Sequence, residues 1–163
     1  MPLSHRPDAK QIHEGQIMLR IEIIAAGKMK SGAQKNQWDE YTKRLSWPLT
    51  LHEIEGRNKD EECAKIEKKM NAQAFIIALD ETGKSIGSRA FAEKLGALAA
   101  EGRPDIQLVI GGADGLTPEI RKKAHFLLSF GAQTWPHMLV RVMLAEQIYR
   151  AQQILSGHPY HRD

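Results

Sequence analysis

The chain has 163 residues, 42% hydrophobic and 26% charged, which supports one packed domain and excludes a globally disordered protein. Lysine and arginine number 23 against 20 aspartate and glutamate, so the net charge of +3 allows a polyanionic partner without requiring one. A single cysteine, Cys63, excludes an internal disulfide and a cysteine-based zinc site. Since the sequence shows neither a membrane-length apolar run nor a signal peptide, we expect a cytoplasmic protein.

Short apolar runs and amphipathic stretches alternate along the chain, and they predict strands and helices in turn. Residues 1–17 look like a loosely ordered extension, and residues 18–163 are predicted to form a single domain. The predicted strands are 19–26, 49–54, 74–79, 106–110 and 126–130, and segment 80–87 is a polar loop. The predicted helices are 33–45, 60–71, 88–100 with Ser88 as N-cap, a short one capped by Thr117, and 136–156.

Single helices between short apolar strands imply right-handed crossovers and a mainly parallel sheet. We therefore predict an α/β fold in which the sheet is the middle of three layers. The last helix has one broad apolar face and a second, narrower face formed by Met138, Val142, Ala145 and Tyr149. The second face favours burial against another subunit, and the alternative is that this chain's own extension or tail covers it.

Three strand ends are candidate ligand sites, because ligands of open parallel sheets bind at the carboxyl ends of strands. They are Leu79 with the acidic residues after it, the glycine-rich turn Gly111–Gly115, and the non-helical segment Phe130–Trp135. The glycine turn could expose backbone to a ligand or be a tight connection only. The third segment could wrap a flat neutral ring, or it could be an ordinary loop with Trp135 in the core.

The tail, residues 158–163, contains two histidines, a tyrosine and an arginine. A basic, aromatic tail suits contact with phosphate and a stacked base, and the alternative is a frayed terminus. Two histidines are too few for a metal site, so no metal is expected. His52, Cys63 and His125 are interpreted as structural.

Several of these segments together resemble one family, the ribosomal RNA large subunit methyltransferase H family of the SPOUT class. They are the VIGGADG run at 109–115, TWPH at 134–137, RVMLAEQIYR at 141–150, HPYHRD at 158–163, and the opening IEIIAAGKM at 21–29. The resemblance spans about residues 18–163. Asp163 departs from the glutamate expected at the last position, and residues 1–17 have no counterpart.

The resemblance implies a SPOUT-type fold with a C-terminal trefoil knot, a homodimer, and S-adenosylmethionine as methyl donor. It implies methylation at N3 of a pseudouridine in the 23S rRNA of the assembled ribosome. Arg141, Tyr160 and His161 are candidates for orienting or deprotonating the base or stabilising its charge. Alternatives are a non-enzymatic ribosome-associated factor and a tRNA methyltransferase. The cofactor contacts carry over to Leu79, Gly111, Phe130, Gly131, Ala132, Gln133, Thr134 and Trp135.

Overall fold

The computed structural model describes residues 16–163, and almost all of the predicted extension lies outside that range. Ile17 is described, and its carbonyl accepts a hydrogen bond from the Trp47 indole at 3.0 Å. In chain order the elements are β1 (Arg20–Ala26), α1 (Ala33–Arg44), β2 (Leu49–Ile54), α2 (Lys59–Lys69), β3 (Phe75–Lys84), α3 (Ser88–Ala100), β4 (Asp105–Ile110), α4 (Pro118–Lys123), β5 (Phe126–Leu128) and α5 (His137–Leu155).

The strands form one sheet in the order β2-β1-β4-β3-β5, and every pair in it is parallel. The predicted α/β fold with a parallel sheet is confirmed. In the register of the sheet, Ile23 of β1 lies between Leu51 of β2 and Leu108 of β4. Parallel pairing brings all the carboxyl ends of the strands to one edge of the sheet, so loops distant in sequence become neighbours there. The trefoil knot stays a prediction.

Helices cover both faces of the sheet, because successive strand residues point to opposite sides. Ile21, Ile23 and Ala25 of β1 pack in one core with residues of α1, α3 and α5. Ile24 and Ala26 pack in a second core with residues of α2 and α4. The predicted three layers are therefore present.

The segment after Leu79 differs from the prediction, which made residues 80–87 a polar loop. β3 continues to Lys84, and after a register shift Lys84 pairs with Leu128 of β5. A Cβ atom at Gly83 would lie 2.6 Å from the Leu127 carbonyl, so only glycine permits this approach. Polar composition alone could not indicate the pairing, because its partner is more than forty residues away.

Helix boundaries match the predictions to within two residues, but one cap does not. Thr117 caps α4 by accepting a hydrogen bond from the Ile120 amide, as predicted. Ser88 is the first residue of α3 rather than its cap, which is Gly87. The Ser88 hydroxyl instead donates to the Gln147 side chain of α5 at 2.7 Å, so a tertiary contact replaces the local one.

The second face of α5 is covered within the chain. Val142 and Ala145 are 5% and 0% exposed, and they share a core with Trp38 of α1. Tyr149 packs beside Tyr41 of α1 and Tyr160 of the tail. Helix α1, with a contribution from the tail, therefore explains the two-faced pattern. That pattern by itself does not indicate a second subunit.

Candidate functional site

A cleft of about 670 Å³ opens at the carboxyl edge of the sheet, between the ends of β3 and β4, the segment after β5 and the start of α5. Its volume is typical of small-molecule sites. Seven of the eight predicted cofactor residues line it, whereas Ala132 is exposed and lies outside the lining. The seven are Leu79, Gly111, Phe130, Gly131, Gln133, Thr134 and Trp135.

The glycine turn forms the wall that follows β4. Gly112 and Gly115 are bridged, with the Gly115 amide donating to the Gly112 carbonyl at 3.0 Å, and Gly115 has a φ of +76°. A Cβ atom at Gly111 would lie 2.9 Å from the Gly115 carbonyl carbon. The turn therefore needs glycine for its own closure, and a Gly111→Val substitution would disturb the protein before it disturbed a ligand.

The segment 129–136 forms a second wall without regular secondary structure. Buried Ser129 holds it: the Ser129 hydroxyl accepts from the Gly131 amide at 3.1 Å and also lies within hydrogen-bond distance of the Glu81 carbonyl. The Trp135 indole donates to the Phe130 carbonyl at 3.2 Å, which closes the segment into a loop. Trp135 is 38% exposed, so the alternative that placed it in the core is wrong.

The end of β3 contributes a charged wall. The Asp80 side chain is only 8% exposed, and it accepts hydrogen bonds from Thr82 and from Arg121 of α4, the latter at 3.4 Å. Burial alone would raise the pKa of Asp80, but the Thr82 hydrogen bonds and the Arg121 charge outweigh it and hold the pKa below its ordinary value. The cleft thus contains an ionised carboxylate and, on its rim, a guanidinium.

Arg141 does not line the cleft, although it was a catalytic candidate. Its side chain is fully buried: Nη1 donates to Glu53 Oε2 at 2.8 Å, and Nη2 donates to the carbonyls of Ala26 and Gly27 at 3.2 and 3.0 Å. Met29 donates its amide to the same Glu53 oxygen at 2.6 Å. The guanidinium therefore joins α5 to the end of β1, and direct contact with a substrate base is excluded in this arrangement.

Tyr160 and His161, the other two catalytic candidates, pack on the C-terminal half of α5. The Tyr160 hydroxyl donates to Glu146 at 3.1 Å, and the Arg150 guanidinium lies over the Tyr160 ring at 4.8 Å. Burial, followed by the Glu146 charge, raises the pKa of Tyr160. Tyr160 is consequently a neutral hydrogen-bond donor here and a poor proton acceptor.

His161 lies between an arginine and a carboxylate. Arg150 Nη1 is 3.1 Å from His161 Nδ1, a contact in which the arginine donates and the ring nitrogen accepts. Nε2 lies 3.2 Å from Asp163 Oδ1. Asp163 in turn receives two hydrogen bonds from Arg89. The tail is therefore attached to α3 and α5 rather than frayed.

The tail does not line the cleft of its own chain, since neither Tyr160 nor His161 is among the lining residues. Val140 lines the cleft, and Glu146, which Tyr160 contacts, lies six positions further along α5, about 9 Å along the helix axis. The structure thus brings the predicted cofactor residues together but does not bring Tyr160 and His161 to the same cleft.

Asp80 and His137 of the cleft adjoin segments that the sequence marked, Asp80 among the acidic residues after Leu79 and His137 just after the third segment. Among the charged residues of the cleft, sequence reasoning missed Lys59 and Arg121. Arg121 lies on α4, in a run of basic residues that resembles an ordinary solvated face, and only the fold places it opposite Asp80.

Within residues 16–163, no helix is both long enough and apolar enough to span a bilayer. The same residues contain no group of three or more histidine, cysteine, aspartate or glutamate side chains that could hold a metal ion.

Comparison with known proteins places the chain in a family. Residues 19–161 match a family model described as a predicted SPOUT methyltransferase. A protein of Rhodospirillum centenum named ribosomal RNA large subunit methyltransferase H is 50% identical over 151 residues, covering 88% of this chain and 99% of the relative. A protein of Ruegeria pomeroyi with the same name is 43% identical over 155 residues, with the same two coverages.

Solved structures agree with the fold. A probable methylase family protein from Haemophilus influenzae has a TM-score of 0.58 at 16% identity, covering 89% of this chain and 71% of that one. A probable methyltransferase from Bordetella pertussis has a TM-score of 0.53 at 12% identity, covering 82% and 96%. The chain belongs to the SPOUT methyltransferase family, and within it to the group of ribosomal RNA large subunit methyltransferase H proteins.

Proposed function

We propose that this protein is an S-adenosylmethionine-dependent methyltransferase that acts on the ribosomal RNA of the large subunit. Family membership supports the reaction class, and the names of the relatives support the substrate class. The observation that carries the site is the cleft at the carboxyl edge, where Leu79, the glycine turn and the segment after β5 converge. No single one of these segments forms a site alone.

The cleft suits the proposed methyl donor in volume and in the charge of its lining. The turn 111–115 and five residues of the loop 130–135 line it, and backbone groups in such segments can hydrogen-bond an adenine ring and a ribose. Asp80, Glu81 and Asp114 also line the cleft, and carboxylates complement the sulfonium and ammonium charges of the donor. When bound, S-adenosylmethionine supplies an electrophilic methyl group on a positively charged sulfur.

The protein's contribution is then positioning, because the acceptor nitrogen is itself the nucleophile. For the finer proposal, methylation at N3 of a 23S rRNA pseudouridine, the site must align N3 with the methyl group and accept the N3 proton. Tyr160, a neutral donor, suits hydrogen bonding to a ring carbonyl. His161 is the better candidate for proton transfer, because breaking its contact with Arg150 frees the Nδ1 lone pair.

We also propose that the functional unit is a homodimer in which the tail of one subunit completes the cleft of the other. Neither Tyr160 nor His161 lines the cleft of its own chain, and this supports a composite site, since one chain does not join the two halves. We also propose that the protein acts on ribosomes in the cytoplasm, a reducing compartment that suits the free, buried thiol of Cys63.

The direct test is methyl transfer from isotopically labelled S-adenosylmethionine to intact ribosomes, free 23S rRNA and tRNA, with the modified nucleotide mapped by mass spectrometry. We expect label in one pseudouridine of 23S rRNA and only in intact particles. Ribosome binding without label would instead support a non-enzymatic factor. Label in tRNA would overturn the substrate assignment.

A mixing experiment tests the composite site. One variant carries Ala113→Trp, which blocks the cleft, and the other lacks residues 158–163. Each alone should be inactive, and their mixture should recover activity, because the mixed dimer has one intact cleft completed by one intact tail. A mixture that stays inactive although the subunits exchange would show that each tail serves its own cleft.

A further inference from the structure

We propose that the loop between β1 and α1 is a preformed contact surface for rRNA phosphates. Lys28 and Lys30 are the residues whose ammonium groups bind the phosphate anions. This inference rests on the proposed function, since it assigns the surface by which the RNA substrate docks beside the cleft. We call residues 27–30 the basic loop.

The backbone of the basic loop is held from two sides. Arg141 donates to the carbonyls of Ala26 and Gly27, and Glu53 accepts the Met29 amide at 2.6 Å. The Met29 side chain is 8% exposed and belongs to the main core. A loop anchored at both backbone and side chain loses little conformational entropy on binding, which favours a role in docking.

The anchoring determines where the lysines point. Lys28 and Lys30 flank Met29, and because Met29 points into the core, both lysines are exposed. Neither ammonium group has a carboxylate within 4.0 Å among the described residues. Glu53 accepts hydrogen bonds from Arg141 and Met29, and against the effect of burial the charge of Lys28 also helps to hold the pKa of Glu53 below its ordinary value without a direct ion pair. Both ammonium groups are therefore exposed and without a direct carboxylate partner among the described residues, so that an external anion can reach them.

The basic loop adjoins the cleft. A Cβ atom at Gly27 would lie 3.3 Å from the His137 ring, and His137 lines the cleft. Lys59, which follows β2 at the same edge of the sheet, also lines the cleft. At the opposite edge Arg20 is paired in a bidentate fashion with Asp105, whereas Lys68 and Lys69 of α2 are exposed. Positive charge from Lys28, Lys30 and Lys59 lies on the side of the molecule where the acceptor nucleotide must enter.

Phosphate groups of RNA are the ligand that this arrangement fits. Exposed lysine ammonium groups bind phosphates as point charges and release counterions, which makes the affinity dependent on salt. A surface of this kind fixes the register of the RNA and leaves recognition of the target to the shape of the particle. The described residues 16–163 form a single α/β fold, so a docking surface within them lies on the catalytic fold itself.

The test compares two charge-reversal pairs in the full-length protein. The variant is Lys28→Glu/Lys30→Glu. The matched control is Lys68→Glu/Lys69→Glu, which changes two exposed lysines in the last turn of α2, near the opposite edge of the sheet. For each protein we would measure kcat and KM for ribosomal particles, direct particle binding at several salt concentrations, S-adenosylmethionine affinity by calorimetry, and the melting temperature.

The basic-loop variant should raise KM for particles about tenfold or more and lower the salt slope of particle binding by about 1 to 2. Its kcat, cofactor affinity and melting temperature should match those of the control. The milder Lys28→Gln/Lys30→Gln variant should give an intermediate KM, which separates lost attraction from new repulsion.

Two results would overturn the inference: particle affinity equal to that of the control, or a loss of kcat or of cofactor affinity with KM unchanged. Failure of the proposed function would look different. Wild-type protein would then transfer no methyl group to particles, while the particle-binding comparison would still decide whether the basic loop docks RNA.

Discussion

Arg141 and Glu53 form an ion pair of 2.8 Å between the buried start of α5 and the end of β2. The Arg141 side chain is 1% exposed and the Glu53 side chain 30%, so water solvates one partner and not the other. Nε of Arg141 has no hydrogen-bond partner. A guanidinium at this depth is stable because its other nitrogens satisfy a carboxylate and two strand-end carbonyls.

Removal of this guanidinium should destabilise the protein. We expect Arg141→Met to lower the free energy of unfolding by about 2–4 kcal/mol, since the carbonyls of Ala26 and Gly27 lose their donor while Glu53 can regain water. Urea denaturation measures the change. Arg44→Met, which breaks an exposed pair with Glu40, is the control and should have little effect. Equal effects of the two would contradict a structural role for Arg141.

Blocking the cleft should abolish cofactor binding without unfolding the protein. Ala113 is exposed and lines the cleft, so Ala113→Trp should weaken S-adenosylmethionine binding at least about tenfold in calorimetry. Ala97→Trp, on the exposed side of α3, is the control and should bind normally. Unchanged affinity in the Ala113 variant would place the cofactor elsewhere.

Deletion of residues 158–163 should separate catalysis from cofactor binding. The tail packs on α3 and α5 and does not line its own cleft, so we expect methyl transfer to fall below detection while S-adenosylmethionine affinity stays nearly intact. Radiolabel transfer and calorimetry measure the two. If both fall equally and the melting temperature drops sharply, the tail has a folding role instead.

Protonation of Asp80 should cost stability in acid. Because the folded pKa of Asp80 lies below the ordinary value of 3.8, its carboxylate contributes stability above that value, and the contribution is lost as the pH falls through the folded pKa. Asp80→Asn should therefore lower stability at pH 7 by about 1–2 kcal/mol, and its gap to wild type should close below pH 3.8. Unfolding curves from pH 7 to pH 2.5 measure this. A gap that stays constant over this range would contradict it.

The close approach of β3 to β5 should make Gly83 intolerant of a side chain. In Gly83→Ala the new methyl group would lie 2.6 Å from the Leu127 carbonyl, so we expect a loss of about 1–3 kcal/mol. Gly87→Ser is the control, because no atom lies within 4 Å of its Cβ position, its φ is −69°, and serine is a favoured residue at the helix cap that Gly87 forms. Similar losses in urea denaturation would indicate that the approach is not tight.

Local pattern was sufficient to predict most of the fold. The apolar strands, the Thr117 cap and the parallel sheet follow from residue periodicity and from the spacing of strands and helices, which are properties of neighbouring residues. The candidate cleft was also predictable in outline, because parallel strands must end at one edge and the three marked segments each follow a strand.

Non-local relationships were decided only by the tertiary structure. Strand β3 extends to Lys84 because Lys84 pairs with β5, and Arg121 lies next to Asp80 only in the folded chain. Arg141, a candidate for contact with the substrate base, is a buried side chain that holds the end of β1. Helix α1 covered the second face of α5. Each outcome depends on contacts with residues that are distant along the chain. The free energy of such contacts cannot be predicted from the pattern of neighbouring residues, because it depends on which surfaces the fold buries against each other.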